Sequence, residues 1–156
     1  MAKTGGGLLM YRRKEGVPEV LLAHPGGPYF QNKNEGFWSV PKGIADKGEA
    51  GAQLLDVAKR EFTEETGLKS EGEFIHLGTM RHPGKTVEVW AFEGDCDPSK
   101  TTSNTCFIEW PPRSGKRLEI PEVDRTDFFT LEEARHKLEH YQAFAIDALE
   151  KYLATL

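Results

Sequence analysis

Residues 60–67 read Arg-Glu-Phe-Thr-Glu-Glu-Thr-Gly, with carboxylates at 61, 64 and 65. At about 100° per residue, Leu54, Leu55, Ala58 and Phe62 share the apolar face of a helix, while Gln53, Asp56, Lys59 and Thr63 fall on the far, solvated side. The glutamates do not join that solvated side. Glu61 and Glu65 are i,i+4 neighbours beside Leu54 and Ala58, and Glu64 lies on the flank. Carboxylates crowded against a core-facing stripe raise one another's pKa unless positive charge sits among them. Arg60 and Lys59 rotate away from the 61/65 row, so a hard divalent cation is the better match, because it prefers oxygen ligands. Magnesium also keeps waters, leaving positions for phosphate oxygens. An acidic helix without metal is the competing reading, and the phase of the glutamates argues against it.

The rest of the chain must position that helix. Its 156 residues fit one domain, 1–156, and can bury a core without disulfides. With 38% hydrophobic and 29% charged residues, the composition is that of a soluble globular protein. A net charge of −5 argues against a general nucleic-acid or membrane-surface binder, though not against a small phosphorylated ligand. No apolar run has signal-peptide or membrane-span length. Cys96 and Cys106, without Cys-x-x-Cys spacing, point to a reduced cytoplasmic protein. Alternation and turn residues predict strands over 7–13, 19–24, 37–40, 74–80, 86–92, 106–110 and 127–130. Helical periodicity runs from about 50 to 66, with Gly67 placed to end it, and again through the tail as one long or two short helices. Residues 24–36 and the stretch from 111 to 121 read as Gly/Pro-rich loops. Strands around a central helix, ending on a helix, give an α+β fold with helices packed against a mixed sheet.

Gly43, Glu49 and the run from Arg60 to Leu68 closely resemble the Nudix box, G-x5-E-x7-R-E-U-x-E-E-x-G-U, where U is a bulky apolar residue. The second half matches throughout, with Phe62 and Leu68 at the U positions. One departure is an insertion: ten residues, not seven, separate Glu49 from Arg60. Weaker likeness over most of the chain is to a bacterial Nudix subgroup of predicted nucleoside-triphosphate pyrophosphohydrolases. The resemblance implies the Nudix fold, a mixed sheet sandwiched between helices (α/β/α), and hydrolysis of a nucleoside diphosphate linked to another group by water attack on phosphorus. It implies a Mg2+ cofactor, with Mn2+ as a substitute, and a small-molecule nucleotide as partner, with neither membrane nor nucleic acid. Nucleoside triphosphates and dinucleoside polyphosphates are the leading substrate classes, the latter because the adjoining Trp-Ser-Val-Pro-Lys-Gly is also seen in dinucleoside polyphosphate hydrolases. A nucleotide-binding sensor with weak or no turnover is the alternative.

By the same resemblance, Glu61 and Glu65 bind metal, Glu64 binds metal or acts on the attacking water, the Lys42 carbonyl is a further ligand, and Arg60 orients the glutamates. Family members often draw another acid from a loop before the last strand, and Glu122 is the candidate, ahead of Glu109 and Glu119. Lys42 leads the basic candidates for phosphate contact, with Arg81, Lys85, Arg113 and Lys116 in loop-like segments. Tyr29, Phe30 and Trp38 offer rings for a base, Trp38 with the stronger claim on the core. Other motifs fail. The stretch from Gly78 to Thr86 miscounts a P-loop and leads into a strand-like run, and Gly5–Gly7 lack dinucleotide-fold spacing. His136 and His140, at i,i+4 but outside an HExxH motif, read as surface residues.

Overall fold

A computed structural model describes residues 3–46 and 53–156. Its centre is β1 (Lys3–Lys14), a long strand that serves three partners. One edge pairs in parallel with β5 (Lys85–Glu93) along Lys3–Tyr11. The other edge is shared: residues 5–7 pair antiparallel with β3 (Lys42–Ile44), and residues 11–14 with β2 (Val17–Pro25). Adding β4 (Ile75–His82) beyond β5 and β8 (Val123–Thr130) beyond β2 gives a six-stranded mixed sheet in the order β4-β5-β1-β2-β8, with β3 off β1. A separate hairpin joins β6 (Thr105–Glu109) to β7 (Arg117–Pro121).

Both faces of the sheet are covered because β1 and β2 are apolar on both. Leu8, Met10 and Leu21 pack with Ala58 and Phe62 of helix α1 (Leu54–Thr66) on one side. Leu9, Tyr11, Val20 and Leu22 pack on the other with Ala134 of α2 (Leu131–Lys137) and Ala145, Ile146 and Leu149 of α3 (Phe144–Leu153). This is the mixed sheet sandwiched between helices that the resemblance implied. The tail is two helices. α2 opens with a reciprocal capping box between Thr130 and Glu133, and Leu138 leaves the helical region at ψ 149°.

Three expectations need correction. Residues 37–40 form only isolated bridges, Trp38 with Leu138 and Ser39 with Ala23, and the ladder begins after Pro41, which has no N–H to donate. The supposed loop up to Pro121 contains β7, a five-residue run with Leu118 exposed and only Ile120 partly buried, which becomes a strand by pairing with β6. Arg81 and Lys85 lie in strands β4 and β5, on either side of a tight turn at Pro83–Gly84. The helix is described from Leu54; Glu49, and with it the upstream part of the insertion, lies outside the described residues.

Gly5–Gly7 bring α1 and β3 against β1. A Cβ on Gly6 would run into the Leu54 carbonyl and stand 2.7 Å from the Ala58 nitrogen. Both obstacles are helix backbone, so they cannot rotate aside. Gly6→Ala is expected to cost about 3 kcal/mol through overpacking and to lower Tm by roughly 5–10 °C, measured by thermal unfolding. An unchanged Tm would show that the helix does not seat this closely.

Candidate active site

α1 presents its carboxylates to the free edge of β3. Leu8 N–H donates to the Pro41 carbonyl and Ala45 N–H to Thr4, so these peptide groups face β1. The alternation of a strand therefore turns the Lys42 and Ile44 peptide groups outward, toward the helix. The Lys42 main chain hydrogen-bonds the Glu65 carboxylate, and the Ile44 carbonyl faces Arg60 Nη2 at 3.5 Å. Gly43, between them, lies directly under Glu61: a Cβ there would occupy the space of its carboxylate. The glycine of the motif is thus a matter of contact. At the other end, Gly67 closes the helix at φ 76°, its N–H donating to Thr63.

Against the expectation that it rotates away from the Glu61/Glu65 row, the long Arg60 side chain turns back and gathers two of the three glutamates. Its Nη1 lies 3.1 Å from both Glu64 carboxylate oxygens and 3.3 Å from Glu61 Oε1. Glu61 is 12% exposed at its side chain and Glu64 38%. Burial pushes the Glu61 carboxyl up to about 7, reinforced by the Glu64 and Glu122 charges against the pull of Arg60. Glu65 is pushed up to about 8, mainly by burial and also by Glu61 and Glu122, against the opposing Lys42 ammonium and main chain. Glu122, immediately before β8, therefore stands within electrostatic reach of both buried carboxylates. Its position comes from the main chain: Glu122 N–H donates to Asn104, whose own N–H donates to the Glu64 carbonyl at the end of α1. Glu109 and Glu119 are spent within the hairpin, Glu109 accepting from the Arg113 and Gly115 amides and Glu119 from Thr105 Oγ1.

Beside these groups opens a cleft of about 380 Å³. Lys42, Glu65 and Glu122 line it at the carboxylate end, Phe30 and Phe37 come from the loop after β2, and Ile108 and Ile120 from the hairpin. An apolar cleft with a few convergent polar groups is the usual form of a small-molecule site, and its volume suits one nucleoside. Arg81, Lys85, Arg113 and Lys116 do not line it. Tyr29 is 58% exposed and stacks edge-on against Phe30, with centroids 4.8 Å apart, outside the lining. Trp38 is buried between His24 and Phe129. Phe37, Ile108, Ile120, Ser39 and Glu139 are lining residues that sequence reasoning did not single out; only the alternation of Cys106 and Ile108 in β6 carried a signal. Burial and the Glu122 charge push the Cys106 thiol up, so it lines the cleft uncharged.

The donor set suits a hard cation. Four carboxylates, Glu61, Glu64, Glu65 and Glu122, face two cations, Arg60 and Lys42, and every donor is oxygen. Among the described residues, no three acidic, histidine or cysteine side chains already converge at ligand distance. Arg60 and Lys42 hold the glutamates at the positions given above.

Fold and site together define a class, the Nudix pyrophosphohydrolases. The NUDIX domain family model matches residues 2–149, and the chain belongs to the Nudix family. Among solved structures it is similar to an Ap4A hydrolase of C. elegans in a binary complex, at 20% identity and a TM-score of 0.69, covering 99% of this chain and 100% of that one. It is also similar to the NUDIX domain of Shewanella oneidensis NrtR complexed with ADP ribose (14% identity, TM-score 0.67, 98% and 89% coverage) and to a mutT/nudix family protein of Listeria innocua (16%, 0.62, 98% and 94%). No curated protein matches the sequence. Among the described residues, no helix is long and apolar enough to cross a membrane.

Proposed function

We propose that this chain hydrolyses a phosphoanhydride bond of a nucleoside triphosphate or dinucleoside polyphosphate, with Mg2+ as cofactor and Mn2+ able to replace it. The observation that carries the proposal is the adjacency of the buried, oxygen-rich Glu61/Glu65 pair to a nucleoside-sized cleft with aromatic and aliphatic walls. Ap4A in the name of one similar protein and ADP ribose bound to another support a nucleotide ligand.

In this reading Glu61, Glu64, Glu65 and the outward Lys42 carbonyl hold the cation. When bound, it neutralises phosphate charge and favours water ionisation. Arg60 keeps Glu61 and Glu64 in place, acting as a positioning group. Glu122, on the loop facing the helix, takes the proton as water oxygen bonds to phosphorus, and the bridging P–O bond breaks with its electrons on the leaving phosphate. The Lys42 ammonium, beside Glu65, steadies the phosphate charge. Phe30 and Phe37 hold the base, with Tyr29 at the rim. Arg81 and Lys85, on the β4–β5 hairpin, have no role in this mechanism.

The test is a panel of nucleoside triphosphates, dinucleoside polyphosphates, ADP-ribose and nucleotide sugars, assayed for Mg2+-dependent release of phosphate or nucleotide. Preferred turnover of the first two classes is expected. Tight binding across the panel without turnover would replace the hydrolase with a sensor.

A further inference from the structure

His24, one residue from the end of β2, is fully buried and takes part in none of the steps above. Both of its ring nitrogens are engaged. Nε2 stands 2.6 Å from the Lys33 carbonyl oxygen, and Nδ1 2.9 Å from Asp124 Oδ1. A carbonyl can only accept, so Nε2 carries a hydrogen and donates it to Lys33. The imidazole also meets Trp38 edge-on at 5.1 Å between centroids, and Trp38 Nε1–H donates to Asn34 Oδ1 at 2.9 Å. Two successive residues of the loop after β2, Lys33 and Asn34, are thereby tied to buried side chains.

Those ties hold a wall of the cleft. Lys33 N–H donates to the Phe30 carbonyl at 2.9 Å, and Phe37 N–H to the Asn34 carbonyl at 3.0 Å. Each aromatic residue lining the cleft is one main-chain hydrogen bond from a pinned residue. The other end of the pin is set by the sheet. His24 pairs with Arg125 but Pro25 with Val123, so Asp124 is the extra residue of a β-bulge. Bulges re-aim side chains, and this one turns the Asp124 carboxylate onto the imidazole.

We propose that His24 is a positioning residue for nucleotide binding, holding the Lys33 carbonyl so that Phe30 and Phe37 stand ready for the nucleoside; the proposal rests on the nucleotide reading of the cleft. Released from this pin, a loop rich in glycine, proline and asparagine samples many conformations, and substrate must order it on binding. The loss falls on KM. The chemical step belongs to carboxylates on α1 and before β8, which His24 does not touch.

The test separates the two bonds of the ring. Gln at 24 places its amide nitrogen near the Nε2 position and keeps the donor to Lys33; Asn is one methylene shorter and reaches only toward Asp124. With ATP and diadenosine tetraphosphate as probes, His24→Asn is expected to raise KM about tenfold with kcat within about threefold, and His24→Gln to stay within about threefold of the parent KM. Combining His24→Asn with Phe30→Ala should add little to either alone, since both remove the same wall. Amide hydrogen exchange over residues 28–37, read without nucleotide, should quicken in His24→Asn and stay near the parent rate in His24→Gln. Faster exchange in a protein that turns over neither probe would sink the nucleotide reading and leave the pin standing. Equal damage by Asn and Gln, a lowered kcat at unchanged KM, or full additivity with Phe30→Ala overturns the proposal. Should His24→Asn fail to fold, Asp124→Ala, which keeps the ring but removes its anchor, must raise KM at least about threefold, or the proposal falls.

Discussion

Glu65→Gln is expected to lower kcat about a thousandfold while leaving the fold intact. Glutamine keeps the size of the side chain and can still accept from the Lys42 main chain, but it loses the charge that a cation would need. Glu65 is the carboxylate of α1 pushed highest, because burial outweighs the help of Lys42, so its ionised form depends most on a cation beside it. Glu64→Gln should follow the same direction with a smaller loss, since Glu64 is more exposed and already doubly bonded to Arg60. A Mg2+ titration of thermal stability gives a second measure: the Mg2+-induced rise in Tm should shrink strongly in Glu65→Gln. Full activity in both variants would remove these glutamates from the metal role.

Thermal stability of the metal-free protein is expected to fall by roughly 5–10 °C as pH rises from 5.5 to 8.5, and Mg2+ at millimolar concentration should recover most of it at the alkaline end. Glu61 and Glu65 titrate at about 7 and about 8 in the folded chain, both above the unfolded value near 4.5. Between those limits the folded state binds more protons than the unfolded one. The stability these two groups favour is therefore present at acid pH and lost as pH climbs through 7 and 8. Glu88 and Asp95 are shifted the opposite way, downward by partners that include His76 and Arg12, and weaken the fold only below that window. Because the cation competes with protons for the same oxygens, the Mg2+ effect should be small at pH 5.5. A flat Tm across the window, with or without Mg2+, would show that the two carboxylates are better compensated than their burial implies.

What could be read in advance follows the range of the interactions. The run from Arg60 to Gly67 was legible because helical phase is local: the spacing that puts Glu61 and Glu65 in one row also puts Ala58 and Phe62 into the core. Strand β5 was legible for the same reason, through the alternation of Val87, Val89 and Ala91. β7 was not, since its five residues, with Leu118 exposed and only Ile120 partly buried, follow a Gly/Pro-rich stretch, end on Pro121 and are held as a strand by pairing with β6. β3 was missed because its three residues Lys-Gly-Ile are held as a strand by pairing with β1 and not by their own propensity.

Gly5–Gly7 show how far local reading can stray. As a motif they matched nothing, yet they set the distance of α1 and β3 from the central strand, and hence of Glu61 from Gly43. Sequence alone determined the chemistry on offer: two carboxylates in one row of a helix, a third on its flank, and a glycine to end it. Tertiary structure decided who shares the site. It turned the Lys42 peptide outward, brought Glu122 across from α1 by way of Asn104, set Phe30 and Phe37 opposite Ile108 and Ile120, and left Arg81 and Lys85 outside the cleft lining. Helical phase repeats every few residues and is written in the residues themselves. The approach of Glu122 to Glu65 joins residues far apart in the chain and is fixed only when the sheet and hairpin close around them.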